Sequence, residues 1–191
     1  MMTGRRRLVA IAVAITATVA VTTAASASIA GASDRNVNSF RIELSGFQEV
    51  PLSLSSSFNG SFRIQIDERN QEINYRLSYA DLEPATAVVN QAHIHIGQRA
   101  QNGGIILFLC TNLGNAPAGT TSPACPPPPA TVTGTLTVAD IAVVTSTPHG
   151  IVAGEFDEVI AAIQAEATYA NVHTSNFPAG EIRGQIDEHH H

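Results

Sequence analysis

His93 and His95, in Gln91-Ala92-His93-Ile94-His95-Ile96-Gly97, stand two residues apart. In an extended strand that spacing puts both imidazoles on one face, roughly 7 Å apart along the chain, while Ile94 and Ile96 anchor the other face in the core. A third imidazole has the same setting: in Tyr169-Ala170-Asn171-Val172-His173-Thr174, alternation sends Val172 inward and His173 to the opposite face. Imidazole nitrogen suits copper and zinc alike, so three histidines converging from two strands make a metal-ligand set with a position left open for water or a small anion. The spacing alone leaves copper and zinc both open. The plainer reading is that histidines at i and i+2 are surface residues of an exposed strand.

The flanking residues fit either reading. Gln91 and Asn171 each precede a histidine by two and flank the cluster on its polar face. Glu181 and Arg183, in Gly180-Glu181-Ile182-Arg183-Gly184, share a strand face; Glu181 is a candidate for orienting a ligand imidazole from behind. Otherwise the two form an exposed ion pair worth about 0–1 kcal/mol. His149, in Thr147-Pro148-His149-Gly150, reads as a solvated turn residue. Hydrolase signatures are missing: no Gly-x-Ser-x-Gly elbow, no His-Glu-x-x-His helix and no P-loop, and no spacing singles out a carboxylate pair among the sixteen acidic residues.

The elements that must position these residues are mostly strands. Phe40-Arg41-Ile42-Glu43-Leu44, Phe62-Arg63-Ile64-Gln65-Ile66 and Ile73-Asn74-Tyr75-Arg76-Leu77-Ser78-Tyr79 alternate apolar and polar residues strictly, and Asp67-Glu68-Arg69-Asn70-Gln71 reads as a hairpin turn. Ile105-Ile106-Leu107-Phe108-Leu109 is apolar throughout and is expected to be a central strand, buried on both faces and entered through Gly103-Gly104. Residues 131–137 and 182–186 supply two more strands. Phe156, Val159, Ile160 and Ile163 follow the i, i+3, i+4, i+7 pattern of an amphipathic helix with an acidic first turn, and residues 138–141 form a further short turn. The fold class is therefore all-β: an antiparallel, Greek-key-like β-sandwich or barrel of about eight strands with one connecting amphipathic helix.

The chain begins as an exported protein does. Arg5-Arg6-Arg7 form a basic n-region, residues 8–21 are almost wholly apolar, and Ala25-Ser26-Ala27 is a small-residue cleavage site, with a later one ending at Ala32. The expected organisation is a signal peptide at 1–27, a flexible segment at 28–37, one domain at 38–187 and a tail at 188–191 whose His189-His190-His191 is native or the remnant of an affinity tag. An uncleaved membrane anchor is the lesser alternative, so no membrane span is expected in the mature form. Without the signal, seven basic residues face sixteen acidic ones, a net of −9. No lysine occurs and the arginines are scattered, which excludes a nucleic-acid phosphate footprint. In a secreted or periplasmic, cell-envelope setting Cys110 and Cys125 are expected to form a disulfide across a proline-rich loop, rather than to ligate metal. A closed loop of about 16 residues contributes about 3 kcal/mol in the chain-entropy picture.

Several separated motifs carry a family resemblance. Leu44-Ser45-Gly46-Phe47-Gln48-Glu49-Val50-Pro51, then Gln91-Ala92-His93-Ile94-His95-Ile96-Gly97, then Asn171-Val172-His173-Thr174 with Phe177-Pro178-Ala179-Gly180-Glu181-Ile182-Arg183-Gly184-Gln185, resemble the CHRD (chordin-type) domain over roughly residues 38–187. The resemblance implies an extracellular β-rich module, of the single-domain kind in bacterial secreted proteins. A weaker similarity, to copper/zinc superoxide dismutase, rests on the His-x-His pair before a glycine, Asn112-Leu113-Gly114-Asn115, a third histidine on a late strand and a nearby arginine. It implies copper ligation by His93, His95 and His173, with Arg183 guiding an anionic substrate such as superoxide. The zinc half of such a site is missing, because His149 is the one histidine between His95 and His173. Two function classes follow: an exported copper protein that binds the metal or acts as a superoxide dismutase-like oxidoreductase, and a non-enzymatic extracellular module that binds a protein or cell-envelope partner.

Overall fold

A computed structural model describes residues 39–120, 122–141 and 150–188. The signal and its cleavage sites, the 28–37 segment, His149 and the terminal histidines lie outside these residues. Eight strands form one sheet: β1 (Ser39–Ser45), β2 (Asn59–Asp67), β3 (Glu72–Ala80), β4 (Val89–Ile96), β5 (Ile105–Thr111), β6 (Ala130–Thr137), β7 (Thr168–Thr174) and β8 (Ile182–Gln185). Their order is β5-β4-β7-β8-β1-β2-β3-β6, and every pairing is antiparallel. The terminal strands of that order, β5 and β6, approach each other, so the sheet curls into a nearly closed barrel. Around the seam β4, β5 and β6 follow one another and β3 lies beyond β6, the Greek-key arrangement.

The barrel interior is filled as the alternation requires. Phe40, Ile42 and Leu44 of β1, Phe62, Ile64 and Ile66 of β2, and Ile73, Tyr75, Leu77 and Tyr79 of β3 are all buried, with the intervening residues turned outward. Helix α1 (Phe156–Gln164) contributes Phe156, Val159, Ile160 and Ile163 to the same core, and Gln164 at its end donates to Glu68 Oε1 at 3.4 Å beside the β2–β3 turn. Among the described residues, no helix is long and apolar enough to cross a membrane.

β5 is buried on both faces, as its composition demands, yet it is not central: it ends the hydrogen-bonded order. Two side-chain devices hold this edge, and a third fixes the segment that enters β6. Tyr75 Oη donates to the Leu109 carbonyl at 2.7 Å, passing over Gly134, where a Cβ would sit 2.7 Å from the Tyr75 ring. Tyr79 Oη donates to the Pro126 carbonyl at 2.7 Å. The Cys110–Cys125 disulfide joins β5 to the segment entering β6. Asn112 pins the same loop, taking the Cys125 amide at 3.1 Å and donating to the Cys125 and Val89 carbonyls.

Candidate metal centre

Strand pairing brings the three histidines together. β4 and β7 are antiparallel neighbours, with Gln91 opposite His173, His93 opposite Asn171 and His95 opposite Tyr169. His173 is thus diagonal to His93 on the outer face of the barrel, and cross-strand diagonal neighbours are within reach of long side chains. Ring centroids of His93, His95 and His173 lie 5.1–5.9 Å apart, and one nitrogen from each falls within 4.8 Å of the others. Tetrahedral coordination at about 2.0–2.1 Å would draw those nitrogens in further.

Against β5 the His strand is irregular. Register shifts fall between Ala92 and His93 and between Ile94 and His95, leaving Leu109 and Ile106 of β5 without an opposite residue. Such bulges re-aim side chains. Here they break the alternation of β5, so that Phe108 leaves the core and meets the His93 ring edge-on at a centroid distance of 4.4 Å.

The outer face is covered, not open as the surface reading of an i, i+2 pair assumes. His93 is fully buried and His95 and His173 are 7% exposed. Loops supply both the cover and the orientation. His95 Nδ1 lies 3.0 Å from the Gly103 carbonyl and His173 Nδ1 lies 3.0 Å from the Pro178 carbonyl. A carbonyl only accepts, so each Nδ1 carries the proton and each Nε2 presents a lone pair to the cluster. Neither Nε2 has a protein partner, nor does either nitrogen of His93.

Burial is the leading cause of depressed histidine basicity in all three rings. It holds His93 well below the usual range, reinforced by His173 and His95, and His173 lower as well. His95 is brought down to about 4, burial outweighing the opposing bond to Gly103. All three are neutral at pH 7, the form that ligates a metal without displacing a proton.

Gly103 is irreplaceable in this geometry. A Cβ there would lie 1.5 Å from the Ile96 carbonyl oxygen, and the Gly103 amide donates to Tyr169 Oη at 3.1 Å. Tyr169 in turn stacks on His95, with centroids 4.8 Å apart and planes 6° from parallel, while the Arg183 guanidinium carbon sits 3.4 Å from the same ring's centroid. Arg183 is therefore one ring away from a candidate ligand, and it is buried rather than half of a surface ion pair.

The remaining site residues are placed as follows. Glu181 does not orient His173; its carboxylate receives the hydroxyls of Ser56, at 2.6 Å, and Thr174. Gln91 accepts from Asn115 Nδ2 at 2.8 Å at the edge of the cluster. Asn171 donates to Glu49 Oε2 at 3.5 Å. Sequence reasoning did not single out Glu49, Gly103, Phe108, Tyr169 or Pro178 for the site. Glu49 and Pro178 stand inside the motifs that carry the family resemblance, but the contributions of Gly103 and Pro178 come from backbone carbonyls, on which side-chain periodicity is silent.

Residues 40–186 match the family model of the CHRD domain, and the chain belongs to that family. No curated protein and no solved structure matches the chain, so the similarity to copper/zinc superoxide dismutase gains no support from them.

Proposed function

We propose that this CHRD-family chain is an exported metalloprotein, secreted or held in the cell envelope, that binds copper through Nε2 of His95 and His173 and a ring nitrogen of His93. One observation carries the reading: four buried imidazole nitrogens lack any protein partner while the Nδ1 atoms of His95 and His173 are pinned to backbone carbonyls. Buried polar atoms are normally satisfied, and a second-shell carbonyl on Nδ1 is how metal-ligating histidines are held. Zinc fits the same donors; copper is favoured because it outranks zinc at nitrogen sites of equal geometry. The disulfide supports an oxidising compartment.

Copper would supply one-electron chemistry, and superoxide dismutase-like activity is the catalytic form of the proposal. The chain's own contribution is to fix three neutral imidazoles, to admit only small species past rings that are 0–7% exposed, and to place the Arg183 charge behind Tyr169. A second reading, a non-enzymatic module for an extracellular protein, is favoured by Phe47 and Leu52, which are 69% and 73% exposed on the β1–β2 connection.

Mass-spectrometric metal analysis of the exported protein decides between them, after purification without chelator and again after exposure to copper and to zinc, alongside His93→Ala. About one equivalent of copper, lost in the variant, is the expected result and justifies a superoxide assay. Absence of stoichiometric metal under every condition overturns the copper reading and leaves the binding module.

A further inference from the structure

Beside the histidines, the same outer face holds a set of polar groups that the metal reading does not use. A pocket of ≈ 270 Å³ lies between the β1–β2 connection and β8, lined by Glu49, Arg183, Gln185, Arg99 and Phe47 among others, and by none of the three histidines. Arg183 and Glu49 are 2% and 6% exposed. Arg183 donates from Nη2 to the Gln98 carbonyl at 3.2 Å, and its Nη1 has no partner. Glu49 Oε2 receives the Asn171 amide, and its Oε1 has none. Gln185 gives Nε2 to the carbonyls of Gly97 and Glu166, and its Oε1 has none.

Arg183 and Glu49 feel each other's charge without pairing: the ion pairs within 4.0 Å among the described residues are Arg41–Glu43 and Arg99–Asp187. Arg183, Glu49 and Gln185 thus line a single pocket while each keeps one buried polar atom without a partner, an arrangement that is costly unless a guest completes it. A glycine makes room for the Glu49 carboxylate. At Gly180, which has φ +130°, a Cβ would lie 2.9 Å from Glu49 Oε2 and 2.7 Å from Asn171 Nδ2.

We propose that this pocket binds a small hydroxylated oxyanion of the bicarbonate or dihydrogen-phosphate class, its charged oxygen on Arg183 Nη1; dihydrogen phosphate gives one O–H to Glu49 Oε1 and one to Gln185 Oε1, and bicarbonate gives its single O–H to one of them. The volume lies below the roughly 300–1,000 Å³ of pockets for larger organic ligands. Burial keeps the Glu49 carboxyl up at about 7, so near neutral pH its charge only partly offsets that of Arg183 and the pocket favours an anion. A plain carboxylate satisfies the guanidinium but leaves both acceptors unmet. The inference goes beyond the metal site and does not rest on it.

The test is isothermal titration of the metal-free protein with bicarbonate, inorganic phosphate and acetate separately, with the side-chain NMR signals of Arg183 and Gln185 followed in parallel. Saturable one-to-one binding of bicarbonate or phosphate that shifts those signals is expected, with acetate about tenfold weaker or more. Which of the two binds tighter identifies the anion. Glu49→Gln and, independently, Gln185→Met should each weaken phosphate binding about tenfold, their folding checked by circular dichroism. His93→Ala should bind the anion like the parent protein, so a failed metal site leaves this result readable. No saturable response to either anion, or binding that acetate matches and both variants leave unchanged, overturns the proposal.

Discussion

His93 differs from its two partners in having neither nitrogen satisfied: it is fully buried, edge-on to Phe108, and makes no side-chain hydrogen bond. For a histidine with a purely structural duty this would be a poor choice, because an apolar residue of like size avoids the desolvation of two ring nitrogens. His93→Leu is therefore expected to raise the stability of the metal-free protein by about 1–2 kcal/mol, a gain of several degrees in melting temperature, while abolishing stoichiometric copper binding. Scanning calorimetry and metal analysis on one preparation check both; a destabilised, still metal-binding variant would show that His93 serves the fold. Gly103 gives the complementary case. Gly103→Ala sets a Cβ against the Ile96 carbonyl, displaces the acceptor of His95 Nδ1, and should lower metal affinity about 10- to 100-fold while all three ligands remain. Competition with a chromophoric chelator measures the loss.

At the scale of elements, the weak place is the seam between β5 and β6, where a disulfide and the Tyr75 hydroxyl stand in for a ladder. Tyr75→Phe strands the buried Leu109 carbonyl and is expected to cost about 1–3 kcal/mol by denaturant unfolding. Reduction of Cys110–Cys125 should remove up to about 3 kcal/mol, and amide exchange should accelerate in β5 and β6 while the β1–β2–β3 meander stays protected; uniform acceleration would mean that the seam is no weaker than the rest. These elements were readable to very different degrees. The meander lies open in the alternation of Phe40, Ile42 and Leu44 and of Ile73, Tyr75 and Leu77, because each strand has a core face and a solvent face. The helix showed itself through Phe156, Val159, Ile160 and Ile163. β5 misled, since bulges erased its alternation and a strand covered on both sides reads as central wherever it lies. The His pair was legible as a pair; that His173 completes it depends on β7 pairing with β4, a contact between strands distant in the chain whose register no local pattern encodes. Glu181 and Arg183 looked like surface partners because their cover comes from the β1–β2 connection and the loop after β4, whose contacts are non-local.

For the whole molecule, the buried titratable groups on one face set how stability follows pH. The three histidines have folded-state values below that of an unfolded histidine, about 6.5. Their contribution is complete above pH 6.5 and is lost as the pH falls toward about 4, the folded value of His95, because the unfolded chain then binds protons that the native state refuses. Glu49 acts in the opposite sense. Raised to about 7 by burial, it contributes most below pH 4.5 and loses that contribution as the pH rises through 7. Three groups outweigh one, so the melting temperature of the metal-free protein should climb between pH 4.5 and 6.5, and Glu49→Gln should steepen the climb and raise stability at pH 7. Bound metal adds to this, because it engages the folded state and requires neutral imidazoles; stabilisation by excess copper or zinc, about 2.7 kcal/mol at a hundred times the dissociation constant, should be full at pH 7 and fade on acidification. Calorimetry across pH 4.5–8, with and without each metal, separates the terms. A metal-free profile flat over that range would mean that the imidazoles are solvated in solution, and the covered three-histidine centre would have to be abandoned.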